Sequence, residues 1–316
     1  MEQPKTLQEA VLYFADFENC KAIMTELRWP DGKVKCPTCG SEKVTWLANA
    51  RLWKCYGGHS RPKFSLKTGT VFEDSPLGLD KWLAALWLLI NCKNGISSYE
   101  VGRDLGISQK STWHMLHRLR FALYKGSINK LSGQVEADET FIGGRARNMH
   151  ASKRAKTITA RGPKDKTIVM GILERGGEVR AKVVETNRRP VVQGYIREHV
   201  LAGSAIFTDS LPSYPGLDEF QHEVVDHAVA YVNGEVHTNG MENFWSLLKR
   251  SLKGTYISVE PFHLFRYVDE QVFRYNNRRM MDDYGRFRLA LSQIVGKRLT
   301  WDQLTGKKPD DATCLN

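Results

Sequence analysis

The spacing of apolar residues divides the chain into four segments and a tail. In residues 1–30 apolar side chains recur at steps of three and four, which predicts helix. Residues 31–75 are dotted with aromatic and turn-forming residues, as is typical of small metal-bound modules. Residues 76–130 predict helices with brief breaks, whereas residues 131–295 start with a strand-like pattern and then alternate strands and helices. Residues 296–316 form a C-terminal tail.

The second helical segment has the pattern of a helix-turn-helix. Ser97 or Ser98 can cap a short helix, Gly106 permits a tight turn, and Ser108 can cap the next helix. An apolar stripe on that next helix leaves the following residues more exposed: Gln109, Lys110, Trp113, His114, His117 and Arg118. An ordinary helical hairpin would explain the same pattern. Together with the features below, the pattern favours a DNA-binding helix that places Lys110, His114 and Arg118 against the duplex.

Composition narrows the classes of function. The 316 residues are 41% hydrophobic and 26% charged, which is typical of a soluble globular protein. The longest apolar run, residues 82–90, has nine residues, whereas a membrane-spanning helix needs roughly 20. The N-terminal residues lack the pattern of a secretory signal. We therefore expect a cytoplasmic, nucleoid-associated protein without a membrane partner.

The charge balance points to a polyanionic partner. Lys and Arg exceed Asp and Glu by 46 to 35, which leaves a net charge of +11. Residues 145–166 hold eight Lys or Arg against one Asp and show little periodicity. This stretch is either a solvated surface loop or a loop that contacts DNA phosphates. We expect the second, with contacts from Arg145, Arg147, Lys153, Arg154 and Lys156.

A cluster of cysteines predicts a structural zinc site. Cys36 and Cys39 form one Cys-x2-Cys knuckle, and Cys55 and His59 follow after 15 intervening residues. Two knuckles separated by the length of a hairpin suit one tetrahedral zinc ion with no position open for catalysis. Incidental cysteines beside an unrelated histidine are the alternative. A ribbon this small buries little core, so metal would supply much of its folding energy.

Carboxylates follow the elements predicted after residue 131. Residues 133–144 read as a strand that enters a turn, and period two places Glu136 and Asp138 on the same face without choosing between them. Asp209 ends a second strand, where α/β folds commonly place chemistry. Glu242 and Lys249 lie seven residues apart on a helix capped by Thr238 or Asn239, and so share one face. Ordinary surface charge is the expectation for Glu139, Asp218 and Glu219.

The order of elements predicts the fold class. A strand, a hairpin around residues 176–177, a helix over residues 190–200, a strand, and the helix that carries Glu242 are compatible with an RNase H-like sheet. We therefore expect an α/β protein. Its RNase H-like catalytic domain would follow a small zinc ribbon and a helix-turn-helix-like segment.

Several motifs together resemble one family. They are Cys36-x2-Cys39, Lys67-Thr-Gly-Thr-Val-Phe72, Trp82, Val135-Glu-Ala-Asp-Glu-Thr-Phe-Ile-Gly-Gly144, Phe207-Thr-Asp209 and His237-Thr-Asn-Gly-Met-Glu-Asn-Phe-Trp-Ser-Leu-Leu-Lys-Arg250. This succession resembles the ISXO-type insertion-sequence transposases, which are DDE enzymes with an N-terminal zinc ribbon. The resemblance covers roughly residues 10–290, and the last motif is the most specific.

The resemblance implies roles for individual residues. It implies Asp138, Asp209 and Glu242 as an acidic triad that binds magnesium, with Lys249 as its basic companion, and so selects Asp138 over Glu136. Ribbons of this kind usually close with Cys-x2-Cys. Here position 58 is Gly and His59 follows, so the fourth zinc ligand is either His59 or another group.

The expected chemistry is cleavage and joining of DNA. Two Mg²⁺ ions, or Mn²⁺, held by the three acids would activate a water or a 3′-hydroxyl and stabilise the leaving oxygen. We expect hydrolysis at the ends of the element, then attack of the freed 3′-hydroxyl on target DNA by a homo-oligomer assembled on DNA. The rival readings are a catalytically inactive DNA-binding regulator and a metal-dependent nuclease that cuts without joining.

Overall fold

The computed structural model divides into two compact units. It describes residues 3–124, 126, 129–144, 150–152, 166–225 and 237–307. Residues up to 124 and residues 277–307 form the first unit, and those from 126 to 276 form the second. The catalytic domain predicted for residues 131–295 therefore extends past the second unit, since residues 277–295 pack into the first.

The N-terminal residues form two helices of the first unit. Helix α1 spans Leu7–Ala15 and helix α2 spans Phe17–Arg28, which agrees with the helical periodicity of residues 1–30. Thr6 and Glu9 close a capping box at the start of α1, so that two backbone N–H groups are satisfied reciprocally. Asp16 accepts a hydrogen bond from the first turn of α2 and separates the two helices.

A three-stranded antiparallel sheet follows. Strands β1 (Val44–Leu47), β2 (Leu52–Cys55) and β3 (Lys63–Phe64) lie in the order β1-β2-β3. The sequence pattern predicts the two arms of the ribbon at residues 43–46 and 51–54, and β1 and β2 confirm both within one residue. Trp53 is buried between the rings of Trp46 at 4.4 Å and Phe64 at 5.7 Å, which gives this small sheet an aromatic core.

The remainder of the first unit is helical. Helix α3 spans Leu79–Asn91, α4 spans Ser98–Leu105, α5 spans Gln109–Leu123, α9 spans Asp283–Ser292 and α10 spans Trp301–Leu304. The predicted helix-turn-helix pattern is confirmed at α4 and α5, because Ser97 and Ser108 cap these helices. Gly106 ends α4 in the left-handed conformation that glycine adopts without a steric penalty.

The second unit is built on a five-stranded mixed sheet. Its elements are β4 (Gln134–Ile142), β5 (Thr167–Glu174), β6 (Val179–Val184), α6 (Arg189–His199), β7 (Ala205–Asp209), β8 (Gln221–Val225), α7 (Asn239–Arg250) and α8 (Leu264–Asn277). The strand order is β6-β5-β4-β7-β8. Strands β4, β5 and β6 pair antiparallel, whereas β7 pairs parallel with both β4 and β8.

Helices cover both faces of this sheet. On one face α6 packs against Val135 and Ala137 of β4, and on the other α7 and α8 pack against Val169 and Leu173 of β5. The predicted strands, hairpin and helix of this region are confirmed within one residue. Thr238 is the N-cap of α7, but its side chain makes no capping hydrogen bond. This missing bond matters for the site described below.

Candidate active site and metal centre

Two aspartates lie side by side on neighbouring parallel strands. In the pairing of β4 with β7, Ala137 lies opposite Thr208, and the next residue of each strand is Asp138 or Asp209. Because parallel strands keep their register, the two carboxylates occupy adjacent positions at the same edge of the sheet, about 5 Å apart between strands. Asp209 Oδ1 accepts a hydrogen bond of 3.1 Å from the Leu211 amide. This hydrogen bond fixes the orientation of the Asp209 side chain at the end of β7.

Helix α7 is joined to Asp138 through an indole. Trp245 Nε1 donates a 2.9 Å hydrogen bond to Asp138 Oδ2. This contact depends on Gly171, which lies opposite Asp138 on β5. A Cβ at Gly171 would lie 2.3 Å from the Met241 side chain and 2.8 Å from the Trp245 ring, so only glycine lets α7 approach the strand this closely.

Glu242 and Lys249 flank Trp245 on one face of α7. Glu242 precedes Trp245 by three residues and Lys249 follows it by four, so both side chains lie on the same side of α7 as Trp245. Trp245 contacts Asp138 from that side. Burial lowers the pKa of the Lys249 ammonium, and the charge of Asp138 partly offsets this effect. The structure therefore places Asp138, Asp209 and Lys249 near one another, and helical spacing places Glu242 on the same side of α7 as Lys249.

The carboxylates repel one another when no cation is bound. Burial raises the pKa of Asp138 to about 7, and the charges of Asp209 and Glu139 act in the same direction. Hydrogen bonds from the Glu139 amide and from Trp245 oppose the increase. Clustered, partly desolvated carboxylates suit a hard divalent cation, because its charge removes the repulsion and its ligands are oxygens.

The Glu136 carboxylate on β4 is held by hydrogen bonds to other groups. Glu136 is only 1% exposed, and its two oxygens accept hydrogen bonds from Arg175 Nε and from the Met241 amide, each at 2.9 Å. Alternation along β4 did not distinguish Glu136 from Asp138, because both face α7. Their partners do distinguish them, since Asp138 lies beside a second carboxylate, that of Asp209.

The expectation for Glu139 is wrong. This residue is not ordinary surface charge, because it is partly buried and accepts a 2.8 Å hydrogen bond from the hydroxyl of the fully buried Tyr214. Burial raises the pKa of Glu139, and the hydrogen bond from Tyr214 opposes this effect. The same expectation is confirmed for Asp218 and Glu219, which are exposed.

The predicted zinc ligands converge in the first unit. One ligand atom from each of Cys36, Cys39, Cys55 and His59 lies within 4.8 Å of the other three. Cys39 Sγ lies 3.6 Å from Cys55 Sγ, and Cys36 Sγ lies 3.3 Å from His59 Nε2. Bonds of about 2.0–2.3 Å to a tetrahedral zinc ion would separate ligand atoms by roughly 3.5–3.8 Å. The spacing and the donor set therefore fit zinc.

The surroundings of Cys36 favour its thiolate. Burial raises the pKa of the Cys36 thiol, but hydrogen bonds from the Cys39 and Thr38 amides outweigh burial and lower it to about 6. Gly57 donates its amide to Cys55 Sγ at 3.2 Å. A Cβ at Gly57 would lie 2.8 Å from Cys39 Sγ, so a side chain there would intrude on the ligands. Sequence reasoning passed over this glycine, although its place inside the second knuckle is a usable signal.

Two domain families match the chain. Residues 16–57 match a transposase zinc-ribbon domain, and residues 130–276 match the ISXO2-like transposase domain. The chain is 30% identical over 245 residues to an uncharacterized protein in transposable element ISH50 of Halobacterium salinarum, which covers 73% of this chain and 81% of that protein. The chain belongs to the ISXO2-like transposase family.

Other relatives of this ISXO2-like transposase chain match less of it. An uncharacterized transposase-like protein of Haemophilus influenzae is 34% identical over 84 residues, which are 26% of this chain and 68% of that protein. A crystal structure of a pre-cleavage Mos1 transpososome aligns with 69% of this chain and 80% of that chain, at 13% identity and a TM-score of 0.16. So low a score carries no structural argument. The matched zinc-ribbon residues end two positions before His59.

The structure corrects the predicted DNA-facing side of α5 in this ISXO2-like chain. Arg118 is only 6% exposed, donates to the Glu73 carbonyl and lies 5.0 Å from the ring of Trp82. His117 is fully buried. Both were expected to be exposed, and that expectation is wrong because α5 is covered on more sides than its single apolar stripe indicates.

The other predicted DNA contacts differ in position. Lys110 is exposed near the N-terminal end of α5, with its ammonium 5.2 Å from the ring of Trp301. His114 is partly buried 5.4 Å from the same ring. Burial, together with the charge of Arg118, lowers the pKa of His114 to about 4, so this ring is uncharged near neutral pH. The residues predicted in the basic loop lie outside the described residues: Arg145, Arg147, Lys153, Arg154 and Lys156.

No helix among the residues that the structure describes is long and apolar enough to span a bilayer.

The repulsion at the carboxylate edge leads to a stability prediction for Asp209→Asn. The amide retains an oxygen for the Leu211 N–H and removes the charge beside Asp138. We expect the metal-free variant to be more stable than the wild-type protein at pH 8 by about 1 kcal/mol, since one pKa unit corresponds to about 1.4 kcal/mol. Chemical denaturation in buffer without Mg²⁺ or Mn²⁺ measures this difference.

The same variant should change the pH dependence of stability. The folded-state pKa of Asp138 is about 7, above its ordinary value of 3.8, so the folded chain binds the proton more tightly than the unfolded chain. The free energy of unfolding therefore falls as the pH rises from about 4 to about 7. We expect a shallower fall in Asp209→Asn. An identical slope in both proteins would show that the two carboxylates do not interact.

Proposed function

We propose that this chain is an insertion-sequence DNA transposase that cleaves phosphodiester bonds at the ends of its element and joins the freed 3′ ends to target DNA. One arrangement carries the proposal: Asp138 and Asp209 lie side by side on adjacent parallel strands, and α7 carries Glu242 and Lys249 on the face that contacts Asp138. Membership of the ISXO2-like transposase family agrees with it.

The sheet supports an RNase H-like assignment of the second unit. Three consecutive antiparallel strands, β4 to β6, are followed by β7 and β8, which extend the sheet from the other side of β4 in parallel. This is the connectivity of RNase H-like sheets. In such a sheet the first strand is central, and here β4, the central strand, carries Asp138.

The acids of this edge would hold a pair of Mg²⁺ or Mn²⁺ ions. When bound, such a pair activates the attacking oxygen and stabilises the leaving oxygen. Asp138, Asp209 and Glu242 are the proposed ligands of these ions. Trp245 holds one oxygen of Asp138 and thereby orients the carboxylate. The Lys249 ammonium would bind a phosphate oxygen of the DNA and orient the scissile bond.

The first unit would recognise DNA and hold one zinc ion. Cys36, Cys39, Cys55 and His59 are the proposed zinc ligands, and the convergence of their ligand atoms supports this assignment. Lys110 at the start of α5 and the basic residues between 145 and 166 are the proposed DNA contacts. Two element ends must be cut and joined together, so we propose that the protein acts as a homo-oligomer on DNA.

A strand-transfer assay tests this function. The purified protein is incubated with labelled DNA that carries the ends of the element, with a target plasmid and with Mg²⁺. Joined product supports a transposase, cut product without joining supports a nuclease, and a shifted but intact DNA band supports a regulator. Omission of Mg²⁺ should remove the joined product but not the binding.

The exposure of Lys110 predicts its effect on DNA affinity. Lys110→Gln should weaken binding to element-end DNA severalfold and lower the slope of log affinity against log salt by about one, because one phosphate contact is lost. Lys5→Gln is the matched control, since Lys5 is an exposed lysine of the same unit outside the proposed DNA surface. Fluorescence anisotropy over a salt series measures both. Equal salt slopes for the two variants would remove Lys110 from the interface.

A further inference from the structure

A buried ion pair lies beside the carboxylate edge. Glu136 precedes Asp138 by two residues on β4 and faces the same side of the sheet. Its Oε1 accepts from Arg175 Nε at 2.9 Å and its Oε2 from the Met241 amide at 2.9 Å, while His237 Nδ1 lies 3.3 Å from Oε1. A buried carboxylate held at both oxygens is a rigid connection.

Arg175 extends this connection to other elements. It follows β5 directly, in the turn that leads to β6. Its Nη2 donates to the His237 carbonyl at 2.7 Å, and its guanidinium lies 4.3 Å from the ring of Phe207, two residues before Asp209 on β7. Arg175 thus contacts the strand that carries Asp209, the strand that carries Asp138 through Glu136, and the chain that enters α7.

The connection ends on the first turn of α7. Thr238 caps this helix without a side-chain bond, so the amides of the first turn need another acceptor. Glu136 supplies it at Met241, the residue directly before Glu242. A carboxylate at the start of a helix is also favoured by the helix dipole. The Glu136 carboxylate therefore fixes the position of the turn that carries Glu242.

Gly240 sets how closely that turn approaches β4. A Cβ at Gly240 would lie 2.8 Å from Glu136 Oε2 and 3.0 Å from Leu173 Cδ2. The absence of a side chain at Gly240 therefore lets the first turn of α7 lie directly against the Glu136 carboxylate. Any larger residue would force the turn and Glu136 apart.

We propose that Glu136 and Arg175 are positioning residues that hold Glu242 at the correct distance from Asp138 and Asp209 to complete a divalent-cation site. This inference rests on the proposed function, because it assigns the three acids to one metal pair. Neither residue would touch the cations or the DNA. Loss of the connection would leave the two aspartates in the sheet and let only the third acid move.

Isothermal titration calorimetry of Mn²⁺ binding to the free protein tests the proposal without DNA or catalysis. Glu136→Gln keeps the shape of the side chain but replaces one acceptor oxygen with a donor. We expect Mn²⁺ affinity to fall about tenfold or more, and Mg²⁺-dependent strand transfer to require correspondingly more Mg²⁺. Glu178→Gln is the matched control, because it removes an exposed carboxylate that lies between the turn after β5 and the start of β6.

Two further variants separate positioning from general stability. Gly240→Ala leaves all charges in place and should weaken Mn²⁺ binding by a similar factor, because it separates α7 from Glu136. Val192→Ala removes buried apolar volume on the opposite face of the sheet, at α6. It should lower the melting temperature and leave Mn²⁺ affinity unchanged. Should Glu136→Gln fail to fold, Arg175→Lys tests the same connection, since it keeps the charge and loses the fork of donors.

The outcomes distinguish this proposal from the proposed function. If the wild-type protein transfers strands and Glu136→Gln binds Mn²⁺ as tightly as Glu178→Gln does, the positioning role is wrong and the function stands. If Val192→Ala weakens Mn²⁺ binding as much as Glu136→Gln at an equal loss of melting temperature, the connection is merely structural. If the wild-type protein binds Mn²⁺ at this edge but joins no DNA, the proposed function fails while the positioning role can still be measured.

Discussion

Each of the variants Asp138→Asn, Asp209→Asn and Glu242→Gln is expected to lower the rate of strand transfer about 1,000-fold or more. Each substitution removes one carboxylate charge at nearly constant shape, so the fold should survive while the metal pair is bound weakly or displaced. Residues that act as one catalytic unit lose most of the activity when any member is removed, and double variants should add little. Single-turnover strand transfer on pre-cut element ends measures these rates.

The control for these variants must be a carboxylate outside the edge. Glu219→Gln suits this purpose, because Glu219 is an exposed residue of the same unit. Glu136 and Glu139 are closer in sequence but unsuitable, since both are withdrawn from solvent and hold other groups in place. DNA binding by the three variants should persist. Near-normal joining by Asp138→Asn would show that the metal site lies elsewhere.

Direct metal coordination has its own signature at Asp209. An Asp209→Cys protein should be nearly inactive with Mg²⁺ and partly active with Mn²⁺, because a thiolate prefers the softer metal. The ratio of the two rates, compared with that of the wild-type protein, is the quantity to measure. An unchanged ratio would argue that Asp209 acts without touching the metal.

Loss of a zinc ligand should unfold the ribbon. The wild-type protein is expected to contain about one zinc ion per chain, and Cys36→Ser close to none. Structural zinc contributes about 10–16 kcal/mol to the folding of small zinc modules, far more than a three-stranded sheet of this size supplies alone. Elemental analysis gives the zinc content, and limited proteolysis should show cleavage within residues 31–75 of the variant only.

Two variants complete the zinc experiment. Cys92→Ser is the control, because Cys92 is the C-cap residue of α3 and lies outside the ligand cluster, and it should retain full zinc. His59→Ala should lose affinity for zinc, measured by competition with a chelator. If His59→Ala competes as well as the wild-type protein, another group completes the tetrahedron and the assignment of His59 is wrong.

Local sequence patterns predicted the elements of the site better than their surroundings. The strand that ends at Asp209 and the helix that carries Glu242 follow from short-range periodicity, and both are confirmed. The choice of Asp138 over Glu136 came from family resemblance. Its physical basis is a set of distant partners, among them Arg175, which is 39 residues away. Spacing within one strand does not contain that information.

Burial by distant residues accounts for the errors. Arg118 seemed exposed because helical periodicity assigns one apolar stripe, but its partners at residues 73 and 82 come from other parts of the chain. Glu139 seemed superficial because Tyr214, which donates to it, follows 75 residues later. The end of the second unit was placed too late, because α9 continues the helical pattern but packs on α3 of the first unit.

The division of the chain constrains how the protein folds during synthesis. The first unit closes only when residues beyond 276 return to it: Asn91 bonds to the Asp283 carbonyl and to Arg286, and Thr70 pairs with Val295. The whole second unit, residues 126–276, leaves the ribosome in between. At about 5–20 residues per second this interval lasts roughly 8–30 s, during which the apolar face of α3 lacks α9. The later unit in the sequence can therefore finish folding before the earlier one.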